Sequence, residues 1–273
     1  GLKMACGENP KRVYGQRNKL PSTRMGNVAH YRAEWIAARD YIDRWARYDA
    51  QVEAGDEEAT APLRDLKLET LAGVLQGEII IHMHCYRADE MMTILSLAEE
   101  FDYRIGTFHH AVEAYKIADE LAEKQVCGAL WADWWGFKME AYDGIQENIA
   151  LVDRPPGGCA VVHSDSAEGI QRLNQEAAKA MGKGRRAGMT IEPEHAIGWI
   201  TANAARSLGI ESMTGSLAPG KMADVVVWSG NPFSVYSKAD LVFVDGALLF
   251  DRDDPARQPV SDFELGQLQG VKQ

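Results

Sequence analysis

The sequence lacks any apolar run of the ~20 residues that a bilayer-crossing helix requires. It also lacks a basic surplus: 29 Lys and Arg face 40 Asp and Glu, for a net charge of -11. That balance excludes a phosphate-tracking surface, because nucleic acids and anionic membranes are held by clustered cations. Cysteine is sparse. Cys6, Cys85, Cys127 and Cys159 form no C-x-x-C pair, and a chain of 273 residues needs no disulfide framework. Buried free thiols in a reducing, cytoplasmic compartment are the expectation. The opening "GLKMACGENPKRVYG" carries neither an initiator Met nor a signal peptide. It reads as though it starts inside a folded unit, as a cleaved precursor, a split protein or a trimmed fragment would.

The composition is otherwise that of an ordinary globular domain, 46% hydrophobic and 25% charged. Residues 2–6 read as a short strand and "GENPKRVYG" as a Gly- and Pro-rich loop. A helical insert occupies about 20–77, with Ala29, Trp35 or Ile36, Tyr41 or Ile42 and Trp45 at near-3.6 spacing. From Gly77 onward, apolar strands at 79–84, 104–109, 126–131 and 159–163 alternate with helical segments. Such alternation predicts parallel βα units. After Gly215 the pattern changes to strands and tight turns, followed by a polar tail. The predicted domains are therefore 1–210, a partial barrel with its insert, and 211–273, a small β module with its tail.

The stretch "EIIIHMHC" places His82 and His84 on one face of a strand tip, since side chains two apart share a face. Taken alone, such a pair is more often structural than functional. The next strand ends in His109 and His110, and the strand at 159–163 leads to Asp165. In parallel βα folds the carboxyl ends of the strands carry the active site. Imidazoles with a carboxylate suit Zn²⁺ or a similar divalent ion, and the Asp would serve as general base toward a water activated there. His163 shares a face with Asp165 and reads equally as a supporting donor or relay and as a packed strand-end histidine. "LWADWWGF" offers Trp131, Trp134 and Trp135 as an aromatic wall or as core packing. Arg12 and Tyr14 are candidates to meet a substrate carboxylate, or residues of a plain surface loop.

"IHMHCYRADEMMTILSLAEEF", "FHHAVEAYKIADELAE", "VVHSDS", "ITANAARSLGI" and "GSLAPGKMADVVVWSGNPFSVYSKADLVFVDG" resemble the metal-dependent amidohydrolases. The branch resembled is that of imidazolonepropionase-like enzymes and Xaa-Pro or Xaa-Arg dipeptidases. The likeness covers most of residues 77 to 251. It implies His82 and His110 as metal ligands, Asp165 as ligand and general base, and His84 as a neighbouring group or proton relay. It further implies Lys3 as a carboxylated bridge between two metals, with an unmodified Lys or a bridging Glu8 as alternatives. "TANAARSLGI" has Ala204 where the family has Pro, which touches no chemistry.

The resemblance implies a carboxyl-terminal portion only. The family's strand-one His-x-His has no counterpart here, and five strands are too few for the eight of a closed barrel. The expected fold is α/β: roughly strands four to eight of a (β/α)8 TIM-like barrel plus part of a small β-sandwich. The expected function is hydrolysis of C–N bonds (amide, dipeptide or cyclic amide) by metal-activated water with Asp165 as base, using one or two zinc-type ions. A missing amino-terminal half, or a second chain, is expected to complete the barrel, with homo-oligomerisation besides. Two rivals stand beside this: a metal-free structural or binding remnant, and a deaminase of the same superfamily.

Overall fold

The computed structural model describes residues 1–258. Five strands form one parallel sheet in chain order: β1 (Leu2–Ala5), β2 (Ile81–His84), β3 (Ile105–His109), β4 (Cys127–Leu130) and β5 (Ala160–Val162). Every pairing is parallel and between sequence neighbours, so β1 and β5 are the sheet's edges. Three carboxyl-terminal strands, β6 (Val225–Trp228), β7 (Ala239–Val244) and β8 (Ala247–Asp251), form a separate antiparallel sheet.

This arrangement corrects the expected fold class. The parallel sheet occupies the amino-terminal and middle parts of the chain, and what lies at the carboxyl end is antiparallel. Among the described residues the sheet is open, because β5 does not pair with β1. Closing a barrel requires strand number, tilt and shear to match. Nor is a second chain or a missing half needed to form a core. The five strands and their helices bury one large apolar cluster within this chain.

One sheet face builds that core. Met83, Phe108, Leu130 and Val162 alternate along their strands and meet Met91, Ile94 and Leu97 of α4 (Ala88–Phe101). Leu121 of α5 (Ala118–Glu123), Ile149 of α6 (Asn148–Asp153) and Ala177 of α7 (Leu173–Arg186) complete it. The opposite face carries Cys127, Ala129, Cys159 and Val161, packed against Ala204 of α9 (Ala202–Leu208). Further along the strands, the same face presents the histidines.

The segment "GENPKRVYG", expected as a loop, is mostly helix α1 (Glu8–Gly15). Pro10 falls in the first turn, where a missing N–H costs no internal bond. The insert folds as a 30-residue helix α2 (Arg24–Glu53) and a shorter α3 (Leu66–Leu75). Thr23 and Asp65 cap them by accepting backbone N–H bonds. Beyond α7 the chain forms α8 (Pro193–Ala196), a 3₁₀ turn at Ile197–Ile200 and α9.

The expected free thiols are not found. Cys6 is bonded to Cys85 and Cys127 to Cys159, each pair joining chain beside adjacent strands. Parallel pairing brings these positions together although 79 and 32 residues separate them. The polar tail falls on residues 259–273, outside the described residues.

Candidate active site

Five of the chain's seven histidines gather at the carboxyl end of the parallel sheet. The cause is register. Alternation points His82 and His84 to one face of β2, while Ile81 and Met83, both fully buried, enter the core on the other. Lys3 pairs in register with His82, and His84 with His109. Parallel neighbours point the same way, so a polar stripe crosses three strands.

The histidines form two tiers. In the deeper tier, His82 Nδ1 is 2.9 Å from His109 Nε2. In the outer tier, the His84 and His110 rings lie 4.8 Å apart between centroids. There His110 Nδ1 is 3.3 Å from His163 Nε2, and Asp165 Oδ2 stands 3.8 Å from His110 Nε2, within ion-pair range. The outer tier thus brings together His84, His110, His163 and Asp165. His82 is held by His109, one level down.

Two of these residues have a left-handed backbone: His110 at φ 58° and Asp165 at φ 51°. Such conformations cost ~1–3 kcal/mol at non-glycine residues and collect at functional sites. Each lies just past its strand, where the reversal aims the side chain back over the sheet.

Trp131 forms the wall. It stacks on His110 at 5.0 Å and 24°, and on His163 at 5.4 Å and 22°. Its indole N–H donates to the Ser164 carbonyl at 3.0 Å. A cavity of about 330 Å³ opens beside this stack, lined by Trp131, Trp134, His163, Ser166, Glu168 and Arg172 among others. Trp135 instead packs with Tyr86, Val112, Trp131 and Ala141. Arg12 and Tyr14 are exposed on α1.

Burial sets the protonation of the cluster. Desolvation, reinforced by the positive Lys3, pushes His84 down to about 4 and His109 to about 3. It likewise lowers His110 to about 2, with neighbouring His163 adding to the shift, and His163 to about 4. Desolvation also lowers His82. His84, His109, His110 and His163 are thereby held as neutral imidazoles at pH 7. Burial lowers the Lys3 ammonium too, opposed by the Asp165 charge.

Sequence reasoning missed Asn9 and Lys138. Lys138 Nζ donates to Asn9 Oδ1 at 3.0 Å. An ammonium only donates, so the amide orientation follows, and Asn9 Nδ2 faces His84 Nε2 at 2.9 Å. His84 Nε2 is therefore the acceptor, and Asn9 fixes the ring. The available signal was position: Asn9 and Lys138 follow β1 and β4 at the same end of the sheet as the histidines.

Among the described residues, the group whose donor atoms all lie within 4.8 Å of one another is Cys6, Cys85 and Glu90. The histidine cluster does not draw three donors that close. The two sulfurs are bonded to each other, and a disulfide sulfur is not the thiolate that binds metals.

Residues 144–249 match the model of the amidohydrolase family. Over 258 residues, 92% of this chain, the sequence is 30% identical to Amidohydrolase tasK of Hapsidospora irregularis, of which the match spans 26%. A solved amidohydrolase from Thermotoga maritima MSB8 superposes with a TM-score of 0.79 and 36% identity, covering 92% of this chain and 63% of that one. A zinc-bound adenosine deaminase from Xanthomonas campestris shares the fold at a TM-score of 0.51 and 15% identity, over 76% of this chain and 56% of its own. The chain thus spans less than two thirds of the length of each of these relatives.

Together these findings support amidohydrolase-superfamily character and an amidohydrolase fold for this chain. They also correct the expectation that the likeness is confined to a carboxyl-terminal portion of the family's fold. It runs over 92% of the chain. The function, enzyme and partner readings that made activity depend on an absent half or a second chain are withdrawn with it.

Proposed function

We propose that the chain is a metal-dependent hydrolase of the amidohydrolase type, with its reaction centre at the outer histidine tier. The observation that carries this reading is the convergence of His84, His110, His163 and Asp165 at the carboxyl ends of parallel strands, beside an aromatic-walled cavity. His82, His109 and Lys3 line the same sheet face beneath them.

The donor types suit a divalent ion, and three of them would have to draw closer than they stand here to share one. The imidazoles are neutral and desolvated, and a carboxylate stands next to them. The 3.3 Å between His110 Nδ1 and His163 Nε2 equals the ligand–ligand edge, roughly 3.3 Å, of a tetrahedron with ~2.0–2.1 Å metal–nitrogen bonds. His82, His110, Asp165 and Lys3 remain the ligands that the sequence proposes, and His163 is added by proximity, whereas the lone pair of His84 already accepts from Asn9. Bound there, a zinc-type ion would lower the pKa of a water and polarise a carbonyl oxygen.

The chain's own residues supply the rest. Asp165, 60% exposed at its side chain, is placed to take a proton from the attacking water and return it to a leaving nitrogen. Trp131 and Trp134 offer an apolar surface to the substrate and exclude water from one side. The lowered Lys3 carries more free amine at a given pH, the form that reacts with carbon dioxide to give a bridging carbamate.

The test is a panel of amide, dipeptide and cyclic amide substrates against the metal-loaded chain, with metal content by elemental analysis. Asp165→Asn is expected to cost ~10²–10⁴ in rate and to weaken metal retention while the melting temperature of the metal-free chain holds. Full activity in that variant, or no bound divalent ion in the wild type, overturns the reading.

A further inference from the structure

A second set of metal-competent side chains lies outside the histidine tiers, where β1 and β2 leave the sheet. Cys6 follows β1 and Cys85 follows β2, and both are buried. They form a disulfide, and a carboxylate oxygen of Glu90, in the first turn of α4, lies within 4.8 Å of both sulfurs. Glu140, from the chain after β4, reaches the same place with a side chain only 2% exposed. The two carboxylates converge on Gly7: a Cβ there would fall 2.2 Å from Glu140 Oε1 and 2.8 Å from Glu90 Oε2.

Arg24 engages one oxygen of each acid, Glu90 Oε1 at 2.8 Å and Glu140 Oε1 at 3.2 Å. Both Oε2 atoms are buried and have no hydrogen-bond partner. Lys138 comes no nearer to Glu140 Oε2 than 3.7 Å. Arg24 and Lys138 both stand within ion-pair reach of the acids, while neither hydrogen-bonds an Oε2 atom. Burial, with the neighbouring Glu140 adding to it, raises Glu90 to about 7 against the pull of Arg24.

We propose that Cys6, Cys85 and Glu90, with Glu140 beside them, form a redox-gated site for a thiophilic divalent cation such as Zn²⁺. The disulfide closes the site and reduction by a dithiol opens it. In the opening step the dithiol supplies two electrons and two protons. The Cys6–Cys85 S–S bond breaks, two protein thiols form, and the dithiol becomes its own disulfide. Cation binding then releases those two protons, together with the Glu90 proton where that carboxyl is protonated, and forms two sulfur–metal bonds and one oxygen–metal bond. Two thiolates and a carboxylate are a zinc-type donor set, and the fourth position falls toward Glu140 Oε2 or a water. The sulfurs cannot serve both states, so bond and cation exclude each other. No residue of this site belongs to the histidine cluster, and the proposal does not depend on the hydrolase reading.

The test uses the full chain, reduced with dithiothreitol, desalted without oxygen and titrated with Co²⁺. A thiolate-to-cobalt charge-transfer band is expected in the reduced chain and not in the oxidised one. Cys85→Ser removes it, Glu90→Gln weakens Co²⁺ affinity at least tenfold, and Cys127→Ser and His110→Ala retain it. In a His110→Ala background, Zn²⁺ is expected to raise the melting temperature of the reduced chain but not that of the reduced chain that also carries Cys85→Ser. A reduced chain without the band, a band that survives Cys85→Ser, or unchanged affinity in Glu90→Gln overturns the proposal. So does a reduced chain that loses its near-ultraviolet circular dichroism and does not regain it with Zn²⁺.

Discussion

At the scale of the residue, the histidines couple stability to pH. His84, His109, His110 and His163 have folded-state values between about 2 and about 4, below the ordinary ~6.5 of an unfolded chain. As pH falls below ~6.5 the unfolded chain takes up protons that the folded chain refuses. The contribution of these groups is therefore full above neutrality and declines as pH drops toward 4. In the metal-stripped chain the urea midpoint is expected to fall between pH 7 and pH 5, and less steeply in His84→Gln; a midpoint flat over that range contradicts the assigned environments. Asp153 shows another residue-scale dependence. Its buried carboxylate accepts from His195, Trp199 Nε1 at 2.8 Å, Asn203 Nδ2 at 3.1 Å and the Ala160 amide at 3.3 Å. Asp153→Ala strands those donors and should destabilise by ~3–5 kcal/mol in urea unfolding. Asp153 is distant in sequence from three of its partners, so nothing in the sequence marked it. His82, His84, His110 and Asp165 were legible because each follows an apolar strand in a repeated βα pattern.

At the scale of the element, the sheet positions the site through close packing beneath it. Gly106 in β3 is an example: a Cβ there would lie 2.4 Å from Ile80 Cδ1 and 3.1 Å from the Ser207 carbonyl of α9. Gly106→Ala is expected to cost ~1–3 kcal/mol by overpacking, read as a lower urea midpoint at an unchanged slope. The strands were readable from apolar runs of four to six residues, and their observed bounds lie within about two residues of the expected ones. The helices were less so. α1 was hidden by Gly7 and Pro10, which read as loop until the chain direction puts Pro in a first turn. The break between α8 and α9 has no Pro or Gly pair to announce it. It arises where Trp199 turns inward to donate to Asp153.

At the scale of the whole molecule, two disulfides tie β1 to β2 and β4 to β5, leaving β3 between them. Cross-linking removes unfolded-chain entropy that grows slowly with loop length. A Cys127→Ser, Cys159→Ser double variant, opening a loop with 32 residues between its ends, is expected to lose ~3 kcal/mol against the oxidised chain in urea. No loss would mean that the bond does not form in solution. No helix among the described residues is long and apolar enough to cross a membrane.

The alternation of strand and helix, and the delivery of His and Asp at strand ends, were determined by the sequence alone. Both are local: a strand period of two and a helix period of 3.6 are written into neighbouring residues. Register, ring-to-ring contact and cysteine pairing were decided only in three dimensions. They join positions tens of residues apart, and the pairing of parallel strands, not any local pattern, sets which side chains meet. Hence His84 joins His110 in the outer tier while His82 stays with His109. Asn9 and Lys138, unremarkable in the text, become the pair that orients a histidine.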